Sequence, residues 1–170
     1  MTDLALTESG HLLAPPPSTP CVPPALLSAL ADRSFVFDGS PAWTPNHARR
    51  VLAQAGDEAE AVRTLDTLRR SARPVPREWL GDRLTILWSL FMASRSQADP
   101  ELLTLWLSEH LRLLADLPHD IVAIAIDRAV QSARHGFIPS IGEMRATAEP
   151  LVAERARLIE RLMLVVEGEV

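Results

Sequence analysis

Leu80, Leu84, Leu87, Trp88 and Phe91 recur at i, i+4, i+7, i+8 and i+11, and nothing else in the chain narrows its fold as much. Side chains spaced this way share one side of an α-helix but alternate across a strand, so residues 77–95 are predicted as a central helix with a broad apolar face. Other helices must cover that face, and the composition can supply them. Apolar residues make up 47% of the chain and are mostly Leu, Ala and Val, whereas Tyr is absent and aromatics are 5%. Leu and Ala favour helix, while half-buried strands draw on β-branched and aromatic residues. The reading is an all-α fold, a small multi-helix bundle.

Prolines punctuate what precedes the central helix. Pro15, Pro16, Pro17 and Pro20 remove backbone donors and bias the chain toward an extended form, so residues 1–23 are read as a disordered proline-rich leader. A short helical run, ALLSALADR, is followed by Phe35, Val36 and Phe37 and then Asp38-Gly39, an extended stretch ending in a turn. Thr44 and Pro45 read as an N-cap with proline in the first turn, and Ala48, Val51, Leu52 and Ala55 recur at helical spacing up to Gly56. Asp57 with Glu60 resembles a capping box for a further helix along Val62, Leu65, Leu68 and Ala72. Residues 24–73 are thus expected to form short N-terminal helices. Pro74 and Pro76 mark the boundary to a main helical domain over 77–170 that includes a C-terminal helix.

Three more helices are predicted in that domain. Asp99, Pro100 and Glu101 supply an N-cap, a first-turn proline and an acidic start, after which Leu103, Trp106, Leu107, His110 and Leu114 share a face. The Leu117-Pro118 corner opens the next helix, with Val122, Ile126, Ala129 and Ala133 on one side and His135-Gly136 as its stop. Ser140 and Glu143 form an S-x-x-E capping box for the last, with Ile138 placed for a hydrophobic staple. Pro150 is expected to kink or end this helix. Beyond it, Leu151, Val152, Leu158, Ile159, Leu162, Val165 and Val166 form a stripe read as packing on the domain.

The charged residues exclude several kinds of chemistry. All 17 positive residues are arginine, and without lysine there is no ordinary phosphate-binding loop, Schiff base or pyridoxal attachment. No G-x-S-x-G, H-E-x-x-H or C-x-x-C occurs, and the single cysteine, Cys21, lies in the leader, so the chain is read as no enzyme, with no cofactor and no metal. Glu109, His110, Asp116, His119 and Asp120 gather near one corner but lack ligand spacing, so capping and solvent-facing roles are assigned to them, with Asp120 in a first turn. Trp88 and Trp106 are read as core, and Trp43 and Trp79 as wedges near the N-terminal segments. No apolar run reaches the ~18 residues of a membrane span, so a cytoplasmic protein is expected.

Arg69, Arg70, Arg73 and Arg77, extended by Arg49 and Arg50, form the densest positive cluster and are the candidate partner or nucleic-acid contact. The net charge of -5 and the DEAE stretch at 57–60 argue against a dedicated duplex-binding protein. Nucleic-acid binding is accordingly expected to be weak, and a protein partner is the main expectation.

The stretch 84–149 carries an apolar helix, a second helix with Trp106, the corner Leu114-Ala115-Asp116-Leu117-Pro118, an alanine-rich helix, and Phe137-Ile138-Pro139-Ser140-Ile141-Gly142-Glu143-Met144-Arg145. In this it resembles the small helical phage and prophage proteins of the replicative-helicase loader and inhibitor type. Pro118, Phe137, Pro139, Ser140 and Glu143 are its structural motif residues. The resemblance implies a non-catalytic adaptor that binds a hexameric replicative helicase and modulates or loads it in phage-type DNA replication, without hydrolysing nucleotide. The chain departs from the pattern in the long stretch before the first motif helix and in its helical ending. A nucleic-acid-binding regulator and a phage structural or assembly protein are the alternatives.

Overall fold

A computed structural model describes residues 15–35, 41–92, 99–133 and 137–168. Residues 1–14 of the expected leader, the turn at Asp38-Gly39 and the His135-Gly136 stop lie outside these. Among the described residues the molecule is all-α apart from one pair of two-residue strands. Its helices are α1 (Pro24–Ala31), α2 (Pro45–Ala55), α3 (Glu58–Ser71), α4 (Arg77–Met92), α5 (Pro100–Leu114), α6 (His119–Ser132) and α7 (Ile141–Val166). β1 (Ser34–Phe35) pairs antiparallel with β2 (Pro41–Ala42).

Most helix ends follow the chemistry of their residues. Thr44 accepts from the His47 N–H at the start of α2, and Asp99 accepts from the Glu101 N–H at 2.9 Å at the start of α5. Gly56 adopts φ +74° and closes α2, a left-handed conformation that a side chain would strain. Ser140 and Glu143 make the reciprocal capping box: the Glu143 N–H donates to Ser140 Oγ at 3.3 Å, and the Ser140 N–H to Glu143 Oε2 at 2.7 Å. One reading is corrected and another is narrowed. Asp57 makes no side-chain cap, because after the αL turn at Gly56 its backbone (φ -95°, ψ 11°) is not in the extended conformation of a cap residue, and its N–H, which Glu60 would accept in a capping box, is already donated to Leu52 O. Pro150 does not end α7, which runs on to Val166. Proline costs a helix one hydrogen bond and a clash with the preceding turn; here packing on both sides of the exposed Pro150 outweighs that.

The packing divides into two apolar clusters that share α7. Leu80, Leu84, Leu87, Trp88, Leu114, Ile121, Ile126, Met144 and Ala148 are among the buried residues of the first, which joins α4, α5, α6 and the beginning of α7. Each fully buried Leu or Ile contributes roughly 1.5–3 kcal/mol. The second cluster joins α1, α2 and α3 to the end of α7 through Leu26, Leu30, Leu52, Leu65, Leu68, Leu162 and Val165. The stripe of α7 beyond Pro150 is therefore divided: Leu151 and Val152 pack on the first cluster, while Leu158, Ile159, Leu162, Val165 and Val166 pack on the second. Between the clusters, the Val75 N–H donates to Leu117 O at 2.9 Å and Pro74 bridges Pro118, tying one proline corner to the other.

Candidate interaction surfaces

A helix C-terminus leaves carbonyl oxygens without donors and carries a partial negative charge, so a guanidinium fork suits it. Four arginines of this chain are used that way, three of them on α7. Arg145 donates to Leu113 O at the end of α5, and Arg161 to Leu30 O at the end of α1. Arg155 donates to Ser71 O at the end of α3 at 2.9 Å. The end of α7 is received in turn by Arg49, which donates to Leu164 O at 2.9 Å and to Val165 O at 3.0 Å. Arg49 is thereby engaged in the fold and does not extend the 69–77 cluster.

Two of these arginines also hold carboxylates. Arg145 forks onto Asp116 at 2.9 and 3.1 Å, which holds the Asp116 carboxyl below its ordinary range. Arg155 pairs bidentately with Asp120, and both are buried, at 7% and 3% exposure. Asp120 does lie in the first turn of α6, as its sequence position suggested, but it is not solvent-facing: it is half of a buried ion pair at the seam between the clusters. One signal of this was present in the sequence. Leu151, Arg155, Leu158 and Leu162 fall at i, i+4, i+7 and i+11, the spacing of the α4 stripe, so Arg155 occupies an apolar position of its helix.

The aromatic residues are also structural. Trp88 and Trp106 meet at 5.2 Å, and the His110 ring stacks on Trp106 at 3.8 Å with Nδ1 at 2.7 Å from the Trp106 carbonyl, fixing the N–H on that nitrogen. Burial pushes the pKa of His110 below its ordinary value, and that of His119, whose ring meets Trp79 at 4.2 Å, in the same direction. Trp79 is buried in the first cluster, while Trp43 packs on the second beneath Arg161 at 4.9 Å.

Among the motif residues, Pro118 and Pro139 are buried and Ser140 and Glu143 form the cap, but Phe137 is 65% exposed. The arginine cluster splits. Arg69 pairs with Glu167 at 2.8 Å, Arg70 leans on its own helix through Asp66 O at 3.3 Å, and both line an open hollow with Asp66 and Arg73. Arg77 is exposed at the start of α4 and lies outside that hollow.

A second surface was not anticipated. On the outward sides of α4 and α5, Leu90 is 67% exposed, Leu105 61%, Leu102 52% and Ile86 40%. The hydroxyls beside them are turned inward: Thr85 donates to Gly81 O, Ser89 to Thr85 O, Thr104 to Pro100 O and Ser108 to Leu105 O, at 2.8–2.9 Å. Ile86 and Leu90 also border an open groove between α4 and α6, floored by Leu87 and Ile126 and spanned by the Arg83–Asp127 ion pair. No family model, curated protein or solved structure matches the chain.

Proposed function

We propose that this chain is a non-catalytic adaptor that binds a partner protein through the outward faces of α4 and α5. The single observation behind this is the pairing of exposed aliphatic side chains with hydroxyls already bonded to their own helices. Covering such a face removes apolar area from water, worth about 25 cal/mol per Å², while few polar groups lose water partners. A complementary apolar helix of a partner suits it. The likeness of residues 84–149 to helicase loaders and inhibitors points to a hexameric replicative DNA helicase as that partner, with the adaptor modulating or loading it in phage-type replication in the cytoplasm.

The test is co-purification with a hexameric replicative helicase from the same genome, together with its ATPase and unwinding rates. Binding that changes those rates, and that is abolished by Leu90→Asp combined with Leu105→Asp in a variant keeping the wild-type helical content, supports the reading. Rates and sedimentation unaltered by excess protein remove the helicase. Binding indifferent to the double substitution removes the face.

A further inference from the structure

Beyond that apolar face, the arginines at 69–77 form a second surface of opposite character. Elsewhere the guanidinium groups are mostly spent on the fold: Arg49, Arg145, Arg155 and Arg161 on helix ends, and Arg63, Arg83 and Arg112 on ion pairs. Arg73 and Arg77, like Arg33, Arg50, Arg128 and Arg157, are exposed with no side-chain partner among the described residues, but these two adjoin Arg69 and Arg70 in the chain. They flank Pro74-Val75-Pro76, whose backbone is held by the Val75 bond to Leu117 O and whose Val75 side chain is buried. Their backbone anchors are therefore fixed before any partner arrives, which lowers the ordering cost of binding.

We propose that Arg69, Arg70, Arg73 and Arg77 form a docking ridge for an acidic, carboxylate-bearing segment of a protein partner, with Glu167 as its intramolecular placeholder. The placeholder is visible in the structure. Glu167 lies just past α7 and puts its carboxylate 2.8 Å from Arg69, one of the arginines that line the hollow. Arg69 thus already holds a carboxylate, in a solvent-exposed pair that a competitor can replace at small cost.

Charge and shape favour peptide over nucleic acid as the occupant. Asp66 lines the same hollow, the α3 C-terminus presents its negative end there, and the chain carries a net charge of -5. These oppose a dense phosphate backbone more than a segment of separated carboxylates. A single strand would also need aromatic platforms for its bases, and the two nearest tryptophans in sequence, Trp79 and Trp88, are both buried.

The experiment is a fluorescence anisotropy titration of the full chain with a labelled glutamate-rich peptide and, separately, with an oligothymidylate of equal length. The wild type binds the peptide at low salt and releases it as salt rises. Arg73→Glu with Arg77→Glu weakens binding by about tenfold or more, as expected when attractive charges become repulsive, and Glu167→Gln tightens it about threefold by removing the internal competitor. Circular dichroism confirms folding, and Arg73→Gln with Arg77→Gln serves if the charge reversal does not fold. Lack of saturable peptide binding, equal binding by the double variant, or tighter binding of the oligonucleotide overturns the proposal. Because the Leu90 and Leu105 variants leave the ridge intact, its failure and that of the apolar face can be told apart.

Discussion

The two apolar clusters share one helix but are closed over different chain distances. The first is built from helices that follow one another along the chain, α4 to α7, so its contacts close over short stretches. In the second, Leu26, Leu52 and Leu65 meet Leu162 and Val165 across most of the chain. Closing a longer loop costs more chain entropy, and here the closure is secured by directional bonds: Arg49 on the end of α7, Arg161 on the end of α1 and Arg155 on the end of α3. The locally connected first cluster carries one such bond, Arg145 on the end of α5. A distant segment is registered by guanidinium groups, each of which fits one helix end.

The largest expected effect lies at the seam. Asp120→Ala leaves the Arg155 guanidinium buried without its carboxylate and is expected to cost about 3–5 kcal/mol in urea unfolding. Asp120→Leu with Arg155→Met is expected to recover much of that loss. If Asp120→Ala costs under about 1 kcal/mol, the pair does not couple the clusters.

Next come matched truncations, Leu84→Ala in the first cluster and Leu162→Ala in the second, each expected to cost about 2–5 kcal/mol. Amide exchange separates them. Leu162→Ala is expected to lower protection across α1–α3 while α5 and α6 hold theirs, and uniform loss over the whole chain would show the two clusters to be a single unit.

Ser140→Ala removes the cap of α7 and is expected to cost about 1 kcal/mol, read as a lower urea midpoint with an unchanged slope. A gentler change follows acidification. Burial lowers the pKa of His110 and His119 from 6.5 in the folded chain, so above that value neither state binds the proton. Below it the unfolded chain binds protons first, and stability falls as pH drops through the folded values. His110→Phe is expected to flatten that decline in part, with His119 carrying the remainder; an unchanged slope between neutral and mildly acidic pH would mean that His110 is not buried in solution.

Most helices could be read directly from residue order because their causes are local. Thr44 before Pro45, Asp99 before Pro100 and the Ser140–Glu143 box act within one turn, and the α4 stripe needs only the 3.6-residue period. The readings that failed involved competition or distance. Asp57 with Glu60 looked like a capping box, but the turn at Gly56 leaves Asp57 out of the extended conformation and gives its N–H to Leu52 O, and of the two outcomes expected at Pro150, a kink or an end, packing on both sides removed the end. Of the candidate sites, the arginine cluster was legible as a charge run, but not the removal of Arg49 from it or the freedom of Arg73 and Arg77. The apolar face went unseen because exposure at Leu90 and Leu105 is decided by which neighbours arrive.

Sequence by itself determined the helical class, the cap chemistry and the apolar faces, since each depends on residues a turn or two apart. Tertiary structure alone decided that α7 serves two clusters, that Asp120 and Arg155 meet across 35 positions, and which arginines are left for a partner. Pairing across such distances is chosen by the folded geometry, because burying either charge alone would cost more than the chain can bear.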